Sequence, residues 1–141
     1  MRCFNCKSSK VERRRVDTSQ PVGEHVVLCS IPSNVCKDCG ESTFEGEDIM
    51  KMEVQSAILV LHDAANLSGK AFKAVRHILG LKQTELAAIL GYTDESISRF
   101  ETNAENAPKI YRFALLGLCR DKASGDEIGK PLADKGFRLA S

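Results

Sequence analysis

The sequence predicts an α+β chain: a metal-built β-hairpin module at the N-terminus, a linker helix, and an all-α helix-turn-helix domain at the C-terminus. Three observations predict it. Two C-x-x-C pairs, Cys3–Cys6 and Cys36–Cys39, flank a stretch holding two strand-like runs. After residue 45 the apolar residues recur at three- and four-residue steps, a helical period. From residue 69 onward, glycines and helix-start residues cut the sequence into short helices.

Residues 1–45 are read as a zinc-binding domain. Two residues between cysteines let one turn aim both sulfurs at one point. Two such turns supply four soft thiolates, the donor set a tetrahedral zinc ion prefers. One structural zinc per chain is expected, on Cys3, Cys6, Cys36 and Cys39. Four thiolates close the coordination sphere and leave no position for a catalytic water. Disulfides are the alternative, disfavoured in a reducing compartment. Iron in a rubredoxin-like site is chemically possible but leaves the attached helices unexplained. Val11–Val16 and Glu24–Ile31 read as short strands, with Gln20-Pro21-Val22-Gly23 as the turn between them. A hairpin between two thiolate knuckles is a zinc-ribbon layout. So small a unit buries too little apolar surface to fold alone, so metal supplies much of its stability. Cys29, in a strand, and Cys119, near a helix end, read as buried structural thiols. His25, His62 and His77 lack partners at metal spacing. In an alternating strand, two of Arg13, Arg14 and Arg15 share one face, read as solvated, with contact to an acidic partner or phosphate as the alternative.

Residues 46–68 hold the linker helix. Ile49, Met50, Met52, Val54, Ala57, Ile58, Leu61 and Ala65 give it a helical period, and it ends near Asn66-Leu67-Ser68-Gly69. Residues 69–120 follow as a run of helices. The first carries Phe72, Val75, Ile78 and Leu79, with Gly80 at its end. The next spans Gln83–Leu90 and closes at Gly91, where positive φ suits glycine. A third starts after Thr93, a capping residue, with Asp94 and Glu95 favourable in its first turn. Thr102–Ala107 is a loop, and Pro108 suits the first turn of a fourth helix running to about Arg120. Residues 121–141 are polar and read as a loosely held tail.

Gln83–Leu90 and Asp94–Phe100 form a helix-turn-helix by residue type. Ala87 is small enough to let another helix cross closely, and Ile97 can plug the angle between the two. Ile97 and Phe100 share one face of the second helix. Glu95, Ser98, Arg99 and Thr102 lie on the other, where a major groove would meet them. Arg99 is the candidate base reader, because a guanidinium can grip guanine O6 and N7 together. Ser98 can contact a base or a phosphate, and Gln83 is placed for a phosphate.

Composition narrows the remaining classes. Net charge is +1, so global electrostatics favours neither nucleic acid nor membrane. Lys and Arg against Asp and Glu number 7 to 6 in residues 1–45, 1 to 4 in 46–65 and 12 to 9 in 66–141. The C-terminal part is therefore mildly basic. No apolar leader and no apolar run of membrane length is present, so the chain reads as cytoplasmic. It lacks a nucleophile–base constellation, a phosphate-binding glycine loop and a paired-carboxylate motif, so it does not read as an enzyme.

Val75–Glu101 resembles the phage-repressor (Xre-type) helix-turn-helix, and the four-cysteine half resembles the YgiT-type zinc finger. Together, in this order and at this length, they resemble the MqsA family of bacterial antitoxins over about residues 1–120. The resemblance implies a zinc domain that neutralises a small toxin, typically an mRNA-cutting ribonuclease. It also implies a C-terminal domain that dimerises and binds the palindromic operator of its own operon. It carries the zinc ligands onto Cys3, Cys6, Cys36 and Cys39, and the recognition-helix arginine onto Arg99. Two positions depart from the pattern. Glu95 stands where the family's base-reading asparagine falls, and a carboxylate near DNA is repelled unless it accepts from a cytosine amino group. Lys82 stands where the repressor pattern often has a threonine cap.

The run Ile110–Cys119 is apolar on more than one face, and the surplus suits a homodimer interface. The leading expectation is an antitoxin that also represses its own operon. Two others remain: a stand-alone zinc-ribbon transcriptional regulator, and a Zn–thiolate redox sensor that releases metal on oxidation.

Overall fold

A computed structural model describes residues 1–123 and 136–140. Two long strands open the chain, β1 (Val11–Val22) and β2 (His25–Cys36), followed by a two-residue strand β3 (Ser42–Thr43). Five helices follow among the described residues: α1 (Gly46–Asp63), α2 (Gly69–Ile78), α3 (Gln83–Leu90), α4 (Asp94–Glu101) and α5 (Lys109–Lys122). A last short strand is β4 (Phe137–Leu139). No helix among the described residues is long and apolar enough to cross a membrane.

β1 and β2 pair antiparallel along their whole length, from Val11 opposite Cys36 to Val22 opposite His25. Both strands are longer than their apolar runs suggest. Gln20, Pro21 and Val22, expected in the turn, continue β1, and the reversal falls on Gly23 and Glu24. Pro21 is tolerated because β1 lies at the sheet edge, where a missing N–H costs no ladder bond. Gly23 supplies the positive φ of +64° that the tight turn requires. β2 is the central strand, with β1 on one side and β3 and β4 on the other. Its inward positions Val27, Cys29, Ile31 and Ser33 alternate with half-buried ones, the period-2 pattern of a strand with one face on a core.

α1 does more than connect two parts. Expected as a linker helix, it is buried without interruption from Val54 to Leu61 and packs on β1, β2, β4, α2 and α5. A helix apolar on all sides belongs inside a fold. The buried side chains of β1, β2, β4 and all five helices form one contiguous cluster. Arg112 of α5 ties itself to α1 by donating from Nε to the Leu61 carbonyl and from Nη2 to the Ala64 carbonyl. Both acceptors belong to the end of α1, where carbonyls lack helical partners.

Part of the expected tail is ordered in the sheet. Phe137, Arg138 and Leu139 pair antiparallel with Cys29, Leu28 and Val27. The rest of that tail, residues 124–135 and Ser141, lies outside the described residues.

Candidate metal centre and the α3–α4 helix pair

The two cysteine pairs form matching knuckles at one end of the hairpin. In the first, the Lys7 N–H donates to the Cys3 carbonyl at 3.0 Å. In the second, the Gly40 N–H donates to the Cys36 carbonyl at 2.9 Å. The residue after each second cysteine takes a left-handed conformation, with φ +64° at Lys7 and +77° at Gly40. Glycine does this freely. Lysine does it against a Cβ clash, so Lys7 carries local strain. The strand register holds the knuckles together, with the Lys37 N–H donating to the Lys10 carbonyl, and the Cys36 N–H closes the second knuckle on the Glu41 carbonyl. Ser8 Oγ of the first knuckle also donates to the Asp38 carboxylate of the second.

The four sulfurs lie within 4.8 Å of one another. Cys3 and Cys39 Sγ are 3.6 Å apart, and Cys6 and Cys36 Sγ are 3.5 Å apart. A disulfide would need about 2.05 Å. Tetrahedral zinc, with Zn–S near 2.3 Å, sets sulfur–sulfur edges of about 3.8 Å. The donor set and its spacing therefore fit a metal ion. Cys3 and Cys36 are buried, while Cys6 and Cys39 are exposed.

Backbone amides favour thiolate at two of these sulfurs. The Cys39 N–H lowers Cys36 to about 7, partly opposed by desolvation and aided by the Asp38 N–H. Cys3 is lowered in the same way, first by the Cys6 N–H. Cys6 goes the other way, up to about 12. The Ser8 N–H favours its thiolate, but the Cys36 sulfur beside it, desolvation and the other two sulfurs together outweigh that. Four thiolates in one small volume repel one another, and a cation removes the conflict. Cys29 and Cys119 take no part in this cluster. Both are buried, and burial raises both thiols, Cys119 to about 12.

α3 and α4 fall where the sequence places two short helices, and they pack on each other. Leu86, Ala87 and Ile97 are buried at the contact between the helices. Gly91 ends α3 with φ +74°, and Thr93 Oγ1 accepts from the Ser96 N–H at 3.2 Å to cap α4. Lys82 offers no acceptor to α3. Only half of a capping box forms there, with Glu85 accepting from the Lys82 N–H at 3.0 Å.

Glu95, Arg99 and Thr102 are exposed on α4, and Ser98 is half-buried. Arg99 Nη2 lies 4.0 Å from Glu95 Oε2, one helical turn away. Thr102 Oγ1 donates to the Ser98 carbonyl at 2.9 Å. Gln83 is engaged inside the chain: its Nε2 donates to Glu101 Oε1 at 3.2 Å.

Glu101 belongs to a network that sequence reasoning missed. Arg76 of α2 grips it with two hydrogen bonds, Nε to Oε2 at 2.7 Å and Nη2 to Oε1 at 2.9 Å. The Arg76 and Glu101 side chains are 8% and 2% exposed. Arg76 Nη1 also donates to the Leu81 carbonyl at 3.0 Å, so one guanidinium joins α2, the α2–α3 turn and α4. A faint signal exists in the sequence, since Arg76 lies four residues after Phe72 and three before Leu79, on the apolar side of its helix.

Comparison with known proteins adds the identity. No curated protein and no solved structure gives a significant match. Residues 1–122 match a protein family, the antitoxin component of bacterial toxin–antitoxin systems, MqsA. That stretch holds both knuckles, the hairpin and all five helices. The chain therefore belongs to the MqsA family, the antitoxin components of bacterial toxin–antitoxin systems.

Proposed function

We propose that this antitoxin neutralises a small ribonuclease toxin through its metal-bearing hairpin and represses its own operon. In this reading the chain binds a palindromic double-stranded operator as a homodimer, through a helix-turn-helix of the phage-repressor type formed by α3 and α4. The carrying observation is α4. Its apolar side, Ile97 and Phe100, is buried, and its outward side presents Glu95 and Arg99 to solvent. Arg99 reads a guanine in the major groove, and Ser98 and Thr102 supply polar contacts beside it. Gln83 braces Glu101, and its reach to a phosphate is secondary to that bond. Ile110 and Phe113, 68% and 63% exposed on α5, lie one turn apart and suit the dimer contact.

The metal in this reading is one structural zinc per chain on Cys3, Cys6, Cys36 and Cys39. When bound, it neutralises the thiolates and ties the two knuckles together. The chain's own part is to hold the sulfurs in register through the β1–β2 pairing and the amide bonds at each knuckle. No step of catalysis is involved, because an antitoxin acts by binding.

The test is growth of bacterial cells expressing the small reading frame beside this gene, with and without this chain. Arrest relieved by the chain is expected. Arrest that it fails to relieve, or no arrest, overturns the reading and leaves a stand-alone zinc-ribbon regulator.

A further inference from the structure

α2 begins without a cap of its own. Ser68 stands at its N-cap, but the Ser68 side chain makes no capping bond, and no acidic residue lies in the first turn. A helix start leaves backbone N–H groups without partners and favours negative charge beside it. Both needs are met from elsewhere in the chain. The Ser68 N–H donates to Glu24 Oε1 at 3.1 Å, and the Ser68 hydroxyl donates to Glu24 Oε2. The next N–H, that of Gly69, donates to Asn103 Oδ1 at 2.7 Å. Glu24 lies in the turn between β1 and β2, and Asn103 lies just past the end of α4. One helix start is thus held by the hairpin on one side and by the end of α4 on the other.

Backbone packing follows the same path. A Cβ at Gly23 would stand 2.5 Å from the Ala71 backbone, and a Cβ at Gly69 would stand 2.3 Å from the Glu101 carbonyl oxygen. Only glycine lets backbones approach so closely. The hairpin turn therefore rests on the first turn of α2, and that turn rests on the last turn of α4. Near the other end of α2, Arg76 grips Glu101. His25 adds a strap, with Nε2 3.0 Å from the Asn66 carbonyl oxygen. Burial pushes the Glu24 carboxyl up, but the Ser68 hydroxyl, the Glu24 and Ser68 N–H groups and His25 outweigh it and hold the carboxyl below its ordinary value.

We propose that Glu24 is a positioning residue for the outward face of α4. The hairpin turn seats α2, and α2, held against α4 near both of its ends, sets the direction in which Arg99 and Ser98 point. The inference rests on the reading of α4 as the DNA-reading helix. It gives the hairpin a second task, because the turn lies at the end opposite the metal knuckles. One end carries the metal, and the other orients the reader.

The experiment compares the metal-loaded full chain with Glu24→Ala, and with Glu24→Ala combined with Ser68→Asp. An aspartate at the N-cap accepts from the α2 N–H groups itself. The double variant therefore regains the cap but not the link to the hairpin. The Glu24 side chain is 41% exposed, so its loss strands no buried charge. The probe is a fluorescent duplex of the DNA immediately upstream of this gene, titrated by anisotropy. Melting temperature and the amide shifts of Arg99 and Asn103 are read alongside. Glu24→Ala should weaken duplex binding about fivefold or more and move both amides. Ser68→Ala, a milder change, should act in the same direction. The double variant should melt like the parent yet keep the weakened binding and the moved amides. Binding restored together with the melting temperature would overturn the proposal, because Glu24 would then be a helix cap and nothing more. Parent-like binding and unmoved amides in Glu24→Ala and Ser68→Ala would overturn it as well. A parent chain that does not bind the duplex is a distinct result: it removes the reading of α4 as a DNA reader, and this proposal with it.

Discussion

Replacing Glu101 by alanine should destabilise the chain more than any change on the outward face of α4. The Glu101 side chain is 2% exposed and accepts three hydrogen bonds, two from Arg76 and one from Gln83. Its removal leaves the Arg76 guanidinium, 8% exposed, without its counter-charge. Breaking a buried pair from one side costs about 3–5 kcal/mol, most of it the penalty of the stranded ion. For a chain of this size, roughly 3–4 °C of melting temperature per kcal/mol turns that into a fall on the order of 10–20 °C. Thermal unfolding of the metal-loaded chain, followed by circular dichroism, measures it. Arg76→Met with Glu101→Leu removes both charges and should recover most of the loss. The reasoning is refuted if Glu101→Ala lowers the melting temperature by less than about 3 °C. It is equally refuted if the double variant melts no higher than the single one.

Further outcomes are expected. Elemental analysis should find one zinc per chain. Chelation, or Cys36→Ser, should raise amide exchange at residues 1–10 and 36–43 while Val27, Cys29 and Ile31, which sit in the main core, stay protected; global unfolding would contradict this. Lys7→Gly should raise stability by about 0.5–1 kcal/mol in chemical denaturation, because φ at this position is +64°; a loss would show that the lysine side chain matters more than the backbone. Tyr111→Phe should be neutral or stabilising by about 1 kcal/mol, since the buried hydroxyl has no hydrogen-bond partner among the described residues; destabilisation beyond 1 kcal/mol would reveal a hidden partner. Arg99→Ala should weaken operator binding by about 1–3 kcal/mol and relax selectivity at one base position, read by gel shift on single-base variants; unchanged affinity removes Arg99 as a reader.

The local devices are legible in the sequence. Each C-x-x-C pair is a single turn, so its spacing alone brings two sulfurs together, and the four sulfurs do meet. Gly91, Thr93, Ala87 and Ile97 were legible for the same reason. A helix cap, a left-handed turn and a buried contact between neighbouring helices each depend on residues a few positions apart. Where the sequence misled, the signal was local and the cause was not. Pro21 normally marks a turn, yet an edge strand accepts it, and edge position is a property of the whole sheet.

What the sequence by itself determined is the set of short-range structures: the knuckles, the hairpin, the caps and the order of helices. Tertiary structure alone decided that Arg76 and Glu101 form a buried pair across 25 residues of chain. It alone decided that α1 lies at the centre and that β4 closes the edge of β2. The physical reason is the same in each case. A short-range motif is specified by the conformational preferences of the residues in it. A long-range pair is chosen by which surfaces exclude water from one another once the chain has folded. An arginine, a glutamate or a Phe-Arg-Leu segment carries no mark of that choice in its own neighbourhood.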